Sequence, residues 1–129
     1  MKKTIIISAL ALSCAIVTAS ASPSVNHINN HAKVAVVKVS PFCVSIAKGD
    51  FETVKKLVEL GADVNQKSEG MTPAMYAAKY NRTEILKFLI DQGANLKLKS
   101  DKGMTAIKYA ELHKALDAHA IIKEALKNK

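Results

Sequence analysis

Three groups of residues in this chain have types and spacings that could do chemistry. The first is a lone thiol. Cys14 and Cys43 are the two cysteines. Cys43 follows Ser40-Pro41-Phe42 in the first turn of an expected helix, where the helix N-terminus can lower a thiol pKa and make it reactive. The other reading is a small buried packing residue. The second group is His27 and His31, spaced so that a helix would put both on one face, where two neutral imidazoles could bind a metal. They lie in SPSVNHINNHA, which offers no third ligand and reads as a solvated tail. His113 and His119 are expected at the surface. The third group is charge. Glu52, Glu59, Glu84 and Asp91 stand beside Lys55, Lys56 and Lys87 at spacings typical of solvated intrahelical pairs. Lys67, Lys97, Lys99 and Lys102 cluster on two turn segments. With Lys79 and Lys108 they would form a basic stripe for phosphate, acidic polysaccharide or an acidic protein face. The other reading is a lysine-rich surface that maintains solubility. There is no Gly-rich phosphate loop and no cysteine pair with metal-ligand spacing. The expectation is no enzyme, no catalytic residue, no cofactor and no metal. Nucleic acid is not expected either, because aromatic residues for stacking make up only 5% of the chain.

The elements that would position these residues begin after a leader. Met1-Lys2-Lys3 is basic, Thr4 to Val17 is almost wholly apolar, and Ala19-Ser20-Ala21 offers small residues for cleavage. Residues 1–21 are therefore expected to be a secretory signal peptide cut after Ala21. The run is short for a span, which takes about 20 apolar residues. A lipoprotein reading through Cys14 fits Ala11-Leu12-Ser13 poorly. The formal charge is +8, of which Lys2 and Lys3 leave with the leader. The product is expected to be exported, periplasmic or secreted, with no membrane span. Residues 22–39 are expected to be a flexible tail and lead-in. Within them Lys33 to Val39 (KVAVVKV) suits an edge strand, or an extended segment covering the end of the core.

The remaining 90 residues repeat themselves. Gly61-Ala62 returns as Gly93-Ala94, Met71-Thr72 as Met104-Thr105, and Tyr76-Ala77 as Tyr109-Ala110, at a period of 32 or 33. Going back by the same step, Thr72-Pro73 meets Ser40-Pro41. Such a period marks a stacked-repeat solenoid. Ser40 and Thr72 are N-cap residues followed by Pro at the first helical position. First helices are expected near Pro73 to Lys79, and second helices at Phe51 to Leu60 and Thr83 to Gln92. The third unit is expected to carry about three extra residues between Leu112 and His119, with a last helix from Ala120 to Asn128. Gly61 and Gly93 stand where a helix C-terminus favours a left-handed residue. The polar segments between units would make short hairpin-like projections. The expected fold is all-α: about three helix-turn-helix units, near 40–70, 71–103 and 104–129.

The pattern resembles ankyrin repeats. The residues that carry the resemblance are Gly61-Ala62-Asp63-Val64-Asn65, Gly70-Met71-Thr72-Pro73, Ala77-Ala78, Glu84-Ile85-Leu86 and Gly93-Ala94-Asn95. It covers roughly Ser40 to Lys127. The family usually has His where Cys43, Met75 and Lys108 stand, so its hydroxyl–imidazole network is expected to be missing. Units one and three are expected to be caps, since terminal repeats need a polar outer face. The resemblance implies a non-enzymatic partner-binding module, acting through turn tips and the exposed side of the first helices. The implied contact residues are Lys67, Glu69, Met71, Lys79, Tyr80, Lys99, Asp101, Lys102 and Met104. The implied partner is another protein, with the chain monomeric and acting as an adaptor, chaperone-like binder, inhibitor or immunity protein. The competing reading is a cationic module on an anionic envelope polymer or lipid surface.

Overall fold

The computed structural model describes residues 38–129. The expected signal peptide, His27, His31 and most of the expected Lys33 to Val39 lead-in lie outside the described residues. Among the described residues there are six helices: α1 Pro41–Lys48, α2 Phe51–Glu59, α3 Pro73–Lys79, α4 Thr83–Asp91, α5 Ala106–Leu112 and α6 Leu116–Lys127. They pack as the pairs α1/α2, α3/α4 and α5/α6, stacked so that α3 lies between α1 and α5, and α4 between α2 and α6. No described residue is in an extended strand, and the solenoid of helix pairs is all-α.

Local chemistry sets the helix starts. Ser40 and Thr72 are extended N-caps whose hydroxyls accept the N–H of Cys43 and Met75, each ahead of a Pro. The expected loss of the imidazole network has a sulfur replacement. The Thr72 N–H donates to Met75 Sδ at 3.3 Å while Met75 N–H donates to Thr72 Oγ1 at 3.3 Å. Thr105 makes no side-chain cap bond and precedes Ala106 instead of Pro, so the third pair starts with less local support. Leu60 and Gln92 are C-caps and not helical residues, one position short of the expected ends.

The third pair corrects the sequence reading. No insertion separates its helices. Asn81-Arg82-Thr83 corresponds to Lys114-Ala115-Leu116, and Asn81 and Lys114 share the same left-handed turn, at φ 53 and 56°. The last helix starts at Leu116, four positions before the expected Ala120, and gains its extra length at the C-terminal end. Buried Ala118 and Ile122 thus stand where Ile85 and Leu89 stand in α4. The small Ala118 masks this register in the sequence, because the nearby Ile121-Ile122 imitates the Ile85-Leu86 pair.

The core runs through the stack as one cluster. Ile46, Ala77, Ala78, Leu86, Leu89 and Ile122 have no or almost no exposure. Phe51 and Phe88 meet edge to face at 5.5 Å, joining α2 to α4. Polar groups tie neighbours where apolar contact ends. Arg82 Nε and Nη2 both donate to the Ala47 carbonyl, at 3.0 and 2.8 Å. The Asn81 side-chain carbonyl accepts the Ala118 N–H at 3.0 Å. Asn65 accepts the Asn95 N–H at 2.7 Å and donates to the Gly93 carbonyl.

Candidate functional site

Between the helix pairs the chain projects in two tight tips, and these build one wall of the site. In the first, Ser68 and Met71 exchange backbone hydrogen bonds of 2.8 and 3.1 Å around Glu69-Gly70. Both central residues have positive φ, 52 and 76°. That is the two-residue hairpin turn whose twist suits paired strands, and Gly at its second centre meets the demand. In the second tip, Ser100 and Met104 close a three-residue loop ending in Gly103 at φ 77°. The extra residue sits here, which explains the change of period from 32 to 33.

The tips are anchored below and fastened to each other. The buried Tyr76 hydroxyl donates to the Ser68 carbonyl at 3.0 Å, and the Tyr109 hydroxyl to Ser100 Oγ at 3.1 Å. Burial raises the Tyr76 phenol above its ordinary pKa, against a smaller opposing pull from the Ser68 side-chain hydroxyl, so it remains a donor. The Ser40 N–H donates to Ser68 Oγ at 2.7 Å, tying α1 to the first tip. The Asp101 N–H donates to the Gly70 carbonyl at 2.9 Å. A Cβ on Gly70 would come within 2.7 Å of Asp101 Oδ2, so this close approach needs glycine.

A groove of about 230 Å³ opens between these tips and the ends of α3 and α5. Of the nine expected contact residues, Glu69, Met71, Lys79, Asp101, Lys102 and Met104 line it. Lys67 stands at its border and pairs with Asp101 at 3.3 Å. Tyr80 lies just past α3, 43% exposed, with the Lys79 ammonium 5.3 Å from its ring centre. Lys99 is exposed on the approach to the second tip and does not line the groove. Met71 and Met104 also pack partly against the core, so they bridge core and groove. Sequence reasoning missed Tyr109, Leu112 and His113. Leu112 corresponds to Lys79 at the 33-residue step; the supposed insertion after it drew attention away from that match.

The expected basic stripe is interrupted. Lys67 is taken up by Asp101, and Lys108 by Glu111 at 3.0 Å. Carboxylates therefore alternate with lysines along this side. Among the expected intrahelical pairs, only Lys55–Glu52 forms, at 3.3 Å.

The other candidates for chemistry separate clearly. Cys43 is fully buried. Burial pushes its thiol above the ordinary range, against smaller opposing hydrogen bonds to Ser40 and Ser68. It is a packing residue with a protonated thiol, not an activated nucleophile. His113 borders the groove, while His119 is half-buried and lies 3.5 Å from Glu111. Among the described residues there is no group of three or more His, Cys, Asp or Glu that could hold a metal, and no helix is long and apolar enough to cross a membrane.

Comparison with known proteins matches this architecture. The family description that fits, ankyrin repeats in three copies, covers residues 42–128. A putative ankyrin repeat protein of Rickettsia bellii is 39% identical over 83 residues, spanning 59% of this chain and 49% of that protein. Human ankyrin repeat and SOCS box protein 11 is 32% identical over 85 residues, spanning 66% of this chain and 26% of that one. The chain thus spans less than half the length of these curated relatives. Among solved structures, it is similar to a chain from the Bd0816 predatory endopeptidase of Bdellovibrio bacteriovorus in complex with immunity protein Bd3460. That likeness has a TM-score of 0.63 and 36% identity, covering 68% of this chain and 47% of the other. With the repeat, the helix pairs and the hairpin tips all in register, the chain belongs to the ankyrin-repeat family.

Proposed function

We propose that this protein is a non-enzymatic binder of another protein, exported after cleavage behind Ala21, that neutralises the protein it captures. The observation that carries this reading is the groove. It combines a half-exposed apolar floor with charged margins, and rigid hydrogen-bonded tips hold it open. A preorganised surface loses little entropy when it binds. Stacked repeats build extended surfaces for such contacts. The likeness to a chain from an endopeptidase–immunity protein complex supports an inhibitor or immunity role over a passive adaptor. The interleaving of Lys67 with Asp101 and Lys108 with Glu111 weighs against a purely cationic module for an anionic polymer.

The test is site-directed photocrosslinking of the full chain in its native envelope fraction, with the crosslinker at Met104 in the groove or at Glu84 on the opposite helices. The expected result is one protein captured from Met104 only, whose hydrolytic activity falls when the chain is added. Lys99→Glu with Lys102→Glu should weaken that capture and leave the thermal midpoint unchanged. Equal capture from both positions, or capture with no effect on activity, overturns the reading.

A further inference from the structure

The groove between the second and third repeats has a chemistry that specifies its occupant, an inference that rests on reading the groove as a protein-docking surface. Its floor contains an apolar side chain that the fold does not need there. Leu112 is 62% exposed, at a position where the earlier repeats carry Ala47 and Lys79. Met71 and Met104 flank it with unbranched, adaptable chains. An anionic polymer has nothing to place on such a floor, whereas a buried apolar side chain gains by leaving water there.

The margin is unequal in charge. Among the described residues, Lys79 and Lys102 border the groove without a carboxylate partner within 4 Å. Asp101 is occupied by Lys67, which leaves Glu69 as the free carboxylate on the rim. Exposed Lys97 and Lys99, also outside any ion pair, extend the positive side beyond the second tip. The space of about 230 Å³ suits the tip of a loop.

We propose that this groove takes a carboxylate-bearing loop of a partner protein with one large apolar side chain at its tip. The apolar group rests on Leu112, Met71 and Met104, and the carboxylate is held by Lys79 and Lys102. Contacts of this kind divide the labour: the apolar anchor supplies most of the affinity, and the charges supply orientation and partner choice.

A library of randomised loops on a rigid scaffold, selected against the full chain, tests this directly. Bound clones are then assayed against Leu112→Asp, Leu112→Ala and the Lys79→Glu, Lys102→Glu double variant, each checked by circular dichroism for an unchanged fold. The expected outcome is enrichment of Asp or Glu next to Leu, Ile, Phe or Met. Each variant should weaken binding about tenfold or more, a loss of roughly 1.4 kcal/mol. Changing the selected acid to its amide should do the same. Groove-dependent loops without acidic enrichment overturn this inference and leave the docking surface standing. Loops indifferent to all three variants overturn both. Inorganic polyphosphate that displaces the loops and binds Leu112→Asp as well as the unaltered chain overturns the inference in favour of an anionic polymer.

Discussion

At the N-terminal end of the stack, Pro41, Val44, Ser45, Thr53 and Leu57 are open or half-open, although their counterparts in α3 and α4 (Pro73, Tyr76, Ala77, Ile85 and Leu89) are buried. So are the counterparts in the third pair, including Tyr109, Ala110 and Ile122. At the C-terminal end the reverse set is uncovered. Ile107, Lys108, Glu111 and His119 are open or half-open, whereas Ala74, Met75, Ala78 and Leu86 are buried in the middle pair. Each helix pair thus has a face toward the preceding repeat and another toward the following one, and burial follows the presence of a neighbour. The two ends have met this differently. The C-terminal face has exchanged Met, Ala and Leu for Lys, Glu and His, and joins them as Lys108–Glu111 and His119–Glu111 contacts. The N-terminal face keeps Pro41, Val44 and Leu57. The expected polar outer face is therefore present at the C-terminal end. Glu111 in place of Ala78 would be a buried charge inside the stack, costing several kcal/mol; at the end it stands in water beside Lys108 and His119.

The largest effect that tests this comparison comes from Leu89 and Leu57, which occupy the same position in successive pairs. Leu89→Ala should cost about 2–5 kcal/mol in urea unfolding, because the buried site leaves a cavity with neighbours on both sides. Leu57→Ala should cost about half as much, because its site is only partly covered. Equal losses would mean that the N-terminal face is covered as fully as the middle of the stack.

Arg82→Ala comes next. It removes two charge-assisted bonds to the Ala47 carbonyl and should cost about 1–3 kcal/mol. Hydrogen exchange should quicken in α1 and remain unchanged in α5. Uniform quickening would show that the first pair unfolds with the rest of the stack, and Arg82 then has no special part in holding it. Arg82→Lys should not restore the loss, since one ammonium does not reproduce the planar fork.

The smallest effect is electrostatic, and it contrasts the ends directly. The Lys108 hydrogen bond, then its charge, and more weakly His119, hold Glu111 below the ordinary carboxylate range. At the other end the Thr53 hydroxyl and N–H hold Asp50 below its own. A depressed folded-state pKa contributes stability that is present above the unfolded value, near 4, and is lost as pH falls through the folded value. Glu111→Gln and Asp50→Asn should each flatten the fall in urea midpoint on acidification below about pH 4. If neither variant changes the acid limb, these contacts do not survive in solution.

Much of the fold was legible because its signals are local. Ser40-Pro41, Thr72-Pro73 and the glycines at 61 and 93 mark helix ends through capping and left-handed geometry, which depend on adjacent residues. The third pair was misread where those signals thin out, at Thr105-Ala106 and the alanine-rich start of α6. The candidate site was legible in part. The tips identified Met71, Met104 and their charged neighbours, but nothing near Leu112 in the chain marks it as part of the same groove.

By itself the sequence determined the period, the helix pairs and the hairpin tips, since each rests on residue types a few positions apart. Only the tertiary structure decided which faces are covered, which lysines find a carboxylate, and that Leu112 shares a groove with Met71. Those outcomes depend on groups about one repeat apart in the chain, such as Lys67 with Asp101 and Arg82 with Ala47, which become neighbours only when the pairs stack.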